Sequence, residues 1–430
     1  MRNVIRACLG MLALAGTTVA AAGCASAPPA PTPSAALVVA RGVAAVEPAA
    51  DPRPFGAADT AFGLDVLRAW CAQYPRQNLV FSPSTLASAL GMAYLGARGA
   101  TARVMARVLH LPAAGGRPLA AQLQARWAAL GRLDGPGVTL AASGQVWADP
   151  ALPPLRGYLN AVATGYDAGV AQAPFSTDPR RAADEINRAI SAATRGHIPR
   201  LVTPDMVDHI GWVLTSALYM DAAWAAPFDP NQTSPGPFTP AGGRQVTVKY
   251  LNGAGFRFAA ASGWSAAALP YHGGKLTMTA LLPPPGSGTC ALPSLTTLRT
   301  VTAGLRASGS RPDTAAVSLP KVSLDTAGPL GDMKAVLRRL GMGPAFADSA
   351  DFTALSPKAC CIGFVQQAAT LRIGEKGAVA AAAAAVGILP TSAIAEPRTV
   401  VFNRPYLMLI TDTSTGEPLF LAMVANPAAS

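Results

Sequence analysis

The chain has 430 residues, which is enough for one large domain or two ordinary ones. Half of the residues are hydrophobic and 13% are charged, so the composition supports a large buried core and excludes a wholly disordered protein. The net charge is +11, yet the longest basic runs are the doublets Arg180-Arg181 and Arg338-Arg339. No basic stretch is interleaved with aromatic residues, so nucleic acid is not expected as a partner.

The first 23 residues resemble an export signal. Arg2 and Arg6 precede an apolar stretch, and small residues lead to Cys24. The run 21–24 resembles a bacterial lipobox, which predicts a lipid on Cys24 and a lipoprotein facing the periplasm or the cell surface. Plain secretion with cleavage nearby is the alternative.

Residues 24–54 are rich in Pro, Ala and Ser and show no regular hydrophobic period. Such a composition is typical of a disordered tether. We therefore expect a folded domain over residues 55–430, attached to a membrane only through the N-terminal lipid.

Beyond Cys24, four cysteines remain, at positions 71, 290, 360 and 361. An exported protein can oxidise them, and their even number permits two disulfides. The adjacent pair Cys360-Cys361 rarely bonds to itself, so one of the two could reach Cys71 or Cys290; the sequence does not choose. Since there is no C-x-x-C spacing, neither a metal site nor a cofactor is expected.

The apolar pattern predicts helices first and long strands later. Helical spacing runs through Gly63–Gln73, and Ser82-Pro83 opens a second helix that ends near Gly96. Alternating or continuous apolar runs predict strands at 139–147, 212–219, 276–282, 317–324, 400–410 and 419–424. The fold class is therefore α+β.

Enzyme motifs give little support for catalysis, and no catalytic residue is assigned. Ser318-Leu-Pro-Lys321 fits the S-x-x-K spacing of β-lactamases, but that motif must open a helix, whereas this segment alternates like a strand. Neither G-x-S-x-G nor H-E-x-x-H occurs. We therefore expect a protein that is not an enzyme.

An ordered set of short segments resembles the serpin family of serine protease inhibitors over roughly residues 60–428. The set comprises 78–83, 186–187, 194–198, 218–224, 227–233, 269–271, 281–283, 318–321, 340–342, 351–352, 402–406 and 420–427. The resemblance implies a large central sheet with further sheets, about eight or nine helices, and an exposed reactive-centre loop at about 375–398. It also implies a monomer.

The segment from Gly374 to Ala385 resembles the hinge of that loop. Its residues are Glu375, Lys376, Gly377, Ala378, Val379, Ala380, Ala381, Ala382 and Ala383, followed by two further alanines. In the family the cleaved loop inserts as a central strand, where proline is excluded and alternate side chains face the core. The inward set would be the even-numbered residues 378–388 or the set between them. Neither set carries a charge, so burial leaves no unpaired charge in the core.

Family spacing places the reactive bond sixteen residues after Glu375, between Thr391 and Ser392. The neighbouring Leu389-Pro390 bond is a tertiary amide, which most serine proteases cleave poorly. A small β-branched Thr391 implies a protease with a shallow pocket, elastase-like or subtilisin-like.

Six residues are expected to control the loop. The resemblance implies that Trp224 packs where insertion starts and that Lys321 pairs with Glu375. Ser216 and Gln367 stand where the family usually has Asn and His beneath the sheet. We expect Gln367 to span to the helix that Ser82 opens, with Ser216 as a smaller partner. Asn187 belongs to the segment that leads into the next strand.

The sequence therefore predicts a suicide inhibitor that forms a covalent acyl complex with a serine protease. Two alternatives stay open: a serpin-fold binding protein that does not inhibit, and an inhibitor of a cysteine protease, since trapping needs only an acyl-enzyme.

Overall fold

The computed structural model describes residues 37–112, 118–208, 210–307, 313–326, 328–377 and 398–429. Within them, the helices are α1 (Arg53–Gln73), α2 (Pro83–Leu95), α3 (Gly99–Val108), α4 (Leu119–Gly131), α5 (Arg156–Tyr166), α6 (Pro179–Ala193), α7 (Pro204–Val207), α8 (Leu295–Arg306) and α9 (Lys334–Leu337). None of the helices in the described ranges is long and apolar enough to cross a membrane.

A six-stranded sheet, here called sheet A, forms the front of the fold. Its order is β1-β4-β3-β5-β12-β11. The strands are β1 (Val39–Ala40), β3 (Val138–Ala148), β4 (Val170–Gln172), β5 (Trp212–Ala222), β11 (Val322–Thr326) and β12 (Phe364–Ile373). At its centre β5 and β12 run parallel, while β3 and β11 flank them in the antiparallel direction.

A nine-stranded sheet packs behind sheet A. Its path is β13-β10-β7-β8-β9-β14-β15-β2, with β6 paired to β7. The strands are β2 (Leu79–Phe81), β6 (Ser234–Phe238), β7 (Val246–Ala261), β8 (Trp264–Pro270), β9 (Leu276–Leu282), β10 (Thr314–Pro320), β13 (Thr399–Val401), β14 (Tyr406–Asp412) and β15 (Pro418–Val424). The α+β class predicted from the sequence is confirmed.

Two predicted strands are each divided. The run 317–324 is β10 followed by β11, which belong to different sheets, because the chain crosses between the sheets at Lys321. The run 400–410 is β13 and β14, separated by the segment that contains Pro405. Both divisions have a signal in the sequence: the apolar alternation changes phase at Pro320-Lys321, and Asn403-Arg404-Pro405 interrupts the second run.

Helix α2 begins as the sequence predicted. Ser82 is its N-cap, and its hydroxyl accepts a hydrogen bond from the Thr85 backbone N–H at 3.2 Å. Pro83 occupies the first turn, where a missing N–H costs nothing. The helix is buried behind sheet A, so its side chains can reach the strands above it.

Regular secondary structure begins before residue 55. Helix α1 begins at Arg53, two residues before the predicted start of the domain, and residues 37–52 of the predicted tether lie among the described residues. Val39 and Ala40 of that segment pair with β4 as the edge strand β1. The segment shows no regular hydrophobic period, and its pairing with β4 is made by the backbone.

Candidate functional site

The hinge residues Gly374–Gly377 turn back at the end of β12 and contact the end of β5. An antiparallel bridge joins Gly377 to Ala223, and a second joins Gly374 to Gly377. The carbonyl of Lys376 accepts a hydrogen bond from the Trp224 backbone N–H at 3.0 Å, and that of Glu375 accepts one from Phe228 at 2.8 Å. The start of the loop is therefore fixed to the chain that leaves β5.

Gly377 is required by this turn. Its φ is +138°, which L side chains rarely adopt, and a Cβ there would overlap the Ala222 carbonyl oxygen. The family pattern of a glycine two residues after the hinge glutamate thus has a local steric cause.

Trp224 lies beneath the turn. Its indole N–H donates to the Gly374 carbonyl at 2.9 Å. The ring stacks on Tyr271 with centroids 4.4 Å apart, and meets Phe228 edge-on. Trp224 is 3% exposed, so the backbone turn rests on a buried aromatic cluster.

Lys321 and Glu375 form an ion pair above that cluster. The Lys321 ammonium lies 2.8 and 2.9 Å from the two carboxylate oxygens, and the Thr233 hydroxyl donates to Glu375 at 3.1 Å. Partial burial opposes the charged form, but the hydrogen bonds from Lys321 and Thr233 outweigh it and hold the pKa of Glu375 below its usual value. Glu375 is therefore ionised at neutral pH and holds the hinge to the end of β10.

The polar contacts beneath the centre of sheet A differ in part from the expectation. Ser216 donates to the Thr85 hydroxyl of α2 at 2.7 Å, so Ser216 reaches the helix. Gln367 instead donates to the Val80 carbonyl of β2 at 3.3 Å. The amide nitrogen of Gln367 therefore contacts the strand that precedes Ser82. Ser82 itself contacts Ser84 and caps α2.

Asn187 fixes the segment between α6 and β5. Its amide oxygen accepts hydrogen bonds from the backbone N–H groups of Leu201 and Val202, and its amide nitrogen donates to the Val202 carbonyl. These bonds hold the chain that crosses in front of sheet A. Asn187 lies apart from the hinge and acts on that crossing segment.

Several predicted residues lie outside the described ranges: Cys24, the hinge residues Ala378, Val379, Ala380, Ala381, Ala382 and Ala383, and the reactive bond Thr391–Ser392. Other residues of the site were not assigned a role from the sequence, namely Thr85, Phe228, Thr233 and Tyr271. Three of these four stand in segments that carried the family resemblance, and that was the available signal.

The cysteine pairing is now assigned. Cys71 of α1 is joined to Cys290, with Cα atoms 5.8 Å apart, and Cys360 is joined to Cys361. The expectation that an adjacent pair rarely bonds to itself is therefore not met here. Asp348 lies beside the second pair.

Comparison with known proteins identifies the family. The family model described as serpin (serine protease inhibitor) matches residues 57–427. The chain belongs to the serpin family. An uncharacterized serpin-like protein of Thermococcus kodakarensis is 28% identical over 365 residues, covering 81% of each chain. The leukocyte elastase inhibitor of Bos taurus is 28% identical over 381 residues, covering 86% of this serpin and 99% of that protein.

Solved structures show the same fold. Human thyroxine-binding globulin superposes with a TM-score of 0.74 at 24% identity, covering 88% of this serpin and all of that chain. Uncleaved ovalbumin superposes with a TM-score of 0.73 at 22% identity, covering 87% and 100%. The serpin fold expected from the sequence is confirmed, and the family with its inhibitor relatives supports protease inhibition in general.

Proposed function

We propose that this serpin is an irreversible suicide-substrate inhibitor of a serine protease with elastase-like or subtilisin-like specificity. The protease serine attacks the carbonyl carbon of Thr391, the C–N bond to Ser392 breaks, and the new amine of Ser392 leaves with a proton from the protease base. The ester at Thr391 then holds the protease while the loop inserts into sheet A between β5 and β12.

The bridges at Gly377 carry this proposal, because they supply a register for insertion. Gly377 is antiparallel to both Ala223 and Gly374, and β5 and β12 run parallel with Ser216 opposite Gln367. Each loop residue after Gly377 would therefore lie beside the next residue toward the N-terminus of β5 on one side and of β12 on the other. Ala384, seven residues after Gly377, would lie between Ser216 and Gln367.

That register selects one of the two inward sets that the sequence left open. Even-numbered residues of β5, such as Leu214, Leu218 and Met220, belong to the hydrophobic core behind the sheet. The loop residues beside them are also even-numbered and face the same core. The inward set would be Ala378, Ala380, Ala382, Ala384, Val386 and Ile388. All six side chains are apolar, so insertion buries no unpaired polar group.

The length of the loop also fits. In the same register Ile388 would lie beside Trp212, the first residue of β5, and Thr391 three residues beyond it. The inserted strand would run the full length of β5 and carry the acylated residue past the far end of the sheet. A shorter loop would insert along only part of β5 and would leave the acylated residue beside the sheet and not beyond its far end.

The energetics favour insertion. The new strand is antiparallel to both neighbours and replaces a parallel pair at the centre of the sheet. Each hydrogen bond it makes contributes about 1 kcal/mol net, summed over a strand as long as β5. The ester can be trapped because this gain is released only after the loop is cut.

Adjacent loop residues give a matched test. Ala380→Arg would place a charge between the buried side chains of Met220 and Leu371, whereas Val379→Arg would face outward between Asp221 and Arg372. Each variant and the wild type are mixed with elastase-like and subtilisin-like proteases and run on denaturing gels. We expect a complex stable to boiling for wild type and Val379→Arg, and mainly cleaved serpin for Ala380→Arg.

Mass spectrometry and thermal unfolding complete that experiment. Cleavage after Thr391, with a large rise in unfolding temperature of the cleaved wild type, supports trapping by insertion. Cleavage without a complex and without that rise favours the non-inhibitory binding protein. A complex with cysteine proteases alone favours the other alternative. Equal behaviour of the two arginine variants contradicts the register.

We further propose that the serpin is exported and held at a membrane by a lipid on Cys24. The lipobox-like run 21–24 supports this proposal. Mass spectrometry of the mature N-terminus tests it: a lipidated Cys24 that is lost in Cys24→Ala supports anchoring, and an unmodified N-terminus supports plain secretion.

A further inference from the structure

The segment Leu37–Val46, here called the strap, is bound along the edge of the body. The Gln172 backbone N–H donates to the Val38 carbonyl at 2.9 Å where β1 pairs with β4. Further along, the Val43 N–H donates to the Asn160 side chain of α5, again at 2.9 Å. At Gly42 a Cβ would overlap the backbone of α5, so the strap lies directly against that helix.

The outer side of the strap is apolar. Among the described residues, six large hydrophobic side chains are exposed, and four of them belong to the strap. They are Leu37, Val38, Val43 and Val46, with exposed fractions of 38%, 60%, 67% and 99%. The only charged residue in the strap is Arg41. Backbone contacts thus hold a cluster of apolar side chains outward, as at an interaction surface.

We propose that the strap is a membrane-contacting surface that rests on phospholipid. This inference rests on the proposed lipid at Cys24. Leu37 follows that residue by thirteen positions, which span at most about 45 Å when fully extended. An anchored serpin therefore keeps the strap within reach of the bilayer at all times. Exposed valines and one arginine suit the boundary between acyl chains and anionic headgroups.

The position of the strap orients the loop. Through β4 and β3, Val39 lies level with Val213 near the start of β5, whereas the hinge lies beside Ala223. Val213 and Ala223 are ten residues apart, which corresponds to about 33 Å along an extended strand. From Ala40 to Leu37 the strap runs away from the hinge. A strap on the bilayer would therefore hold the reactive loop at the far end, open to a soluble protease.

The same geometry limits the strength of the contact. Insertion would carry Thr391 past Trp212, toward the end of sheet A where the strap lies. A trapped protease needs space there, so the strap has to leave the bilayer while the lipid stays. The contact is accordingly an orienting one, and attachment belongs to Cys24.

Tryptophan quenching tests the proposal on the full mature chain. Val43→Trp places a reporter on the strap, and Val401→Trp places a matched reporter at the exposed valine of edge strand β13. Each protein is anchored to vesicles of phosphatidylcholine and phosphatidylglycerol that carry brominated acyl chains. If mass spectrometry finds no native lipid, the chain is produced to begin at Cys24 and a maleimide lipid is coupled to that thiol, so the strap is tested whether or not the lipobox is used.

We expect the emission of the Val43→Trp protein to fall severalfold more than that of the Val401→Trp protein, relative to vesicles without bromine. Adding a cleaving protease that forms the covalent complex should restore the emission. Equal quenching of the two reporters would indicate general adsorption and overturn the proposal. No quenching of either would overturn it as well, even with lipid at Cys24.

Discussion

Two groups of paired charges in this serpin differ in how far water reaches them. The hinge pair joins Lys321 and Glu375, whose side chains are 37% and 19% exposed. The buried charge cluster joins Arg126 of α4 to Asp59 of α1 and Glu417 before β15, and its Arg126–Asp59 and Arg126–Glu417 pairs are 3% exposed on each side. Both combine a cation with carboxylates, yet their surroundings assign them different roles.

The buried charge cluster binds separate elements into one body. Arg126 donates to the Glu417 carboxylate at 2.7 and 3.0 Å, to the Ser88 hydroxyl and to the Ser84 carbonyl, and it also pairs with Asp59. Four elements thus meet at one guanidinium. The hinge pair instead joins the turn after β12 to the end of β10, a contact that the proposed loop insertion would rearrange. Because water screens the hinge pair more than the buried charge cluster, breaking the hinge pair should cost less.

Removing the buried cation should have the largest effect. Arg126→Met removes the cation that Asp59 and Glu417 contact in the core, and breaking a buried pair in this way costs about 3–5 kcal/mol of stability. The midpoint of urea unfolding measures the loss. Arg68→Met, which removes an exposed pair with Asp65, is the matched control and should leave the midpoint nearly unchanged. Equal midpoints for the two variants would contradict the prediction that the buried pairs contribute more to stability than the exposed pair.

The pH dependence of the buried charge cluster gives a second test. Burial and the nearby Glu417 carboxylate raise the pKa of Asp59 well above its usual value of 3.8, in spite of Arg126. The contribution of Asp59 to the free energy of unfolding is therefore fully present below pH 3.8 and is lost as the pH rises through the folded-state pKa. Asp59→Asn cannot ionise, so its stability should decline less over that range in pH-resolved unfolding curves. An unchanged slope would contradict the raised pKa.

Gln367 is an intermediate case, buried but uncharged. Gln367→Leu keeps the side-chain volume and removes the hydrogen bond to the Val80 carbonyl, at a cost of about 1 kcal/mol. We expect a lower unfolding temperature and faster polymer formation on warming, followed by size-exclusion chromatography. The exposed Gln77→Leu is the control. If Gln367→Leu matches it in both measurements, the polar contact beneath sheet A has no role in loop control.

The hinge pair could be predicted from the sequence because both partners stand in short segments that resemble the family pattern. Lys321 follows Ser318-Leu-Pro, and Glu375 precedes Lys376-Gly377. The same segments indicated Trp224 and the start of α2. Local patterns therefore indicated the fold, and they brought together the two partners of the hinge pair.

The buried charge cluster could not be predicted in this way. Asp59 and Glu417 are far from Arg126 in sequence, and no spacing rule links them. One sign was available: Gln122 and Arg126 are four residues apart on the otherwise apolar face of α4. The strap could not be predicted either. Its binding depends on backbone hydrogen bonds and on the close approach of Gly42 to α5, and neither leaves a pattern of side chains in the sequence.

Glu375→Gln should have the smallest effect, and its sign is opposite to that of Asp59→Asn. Because hydrogen bonds hold the pKa of Glu375 below 4.5, its contribution is full above pH 4.5 and is lost as pH falls through the lower folded-state value. Solvent screening limits the pair to less than about 1 kcal/mol. The variant should therefore be slightly less stable than wild type at pH 7, and unfolding curves should show this difference shrinking as the pH falls below 4.5. A difference that stays constant as the pH falls would mean that Glu375 stabilises the hinge through packing at the Trp224 cluster and not through its charge.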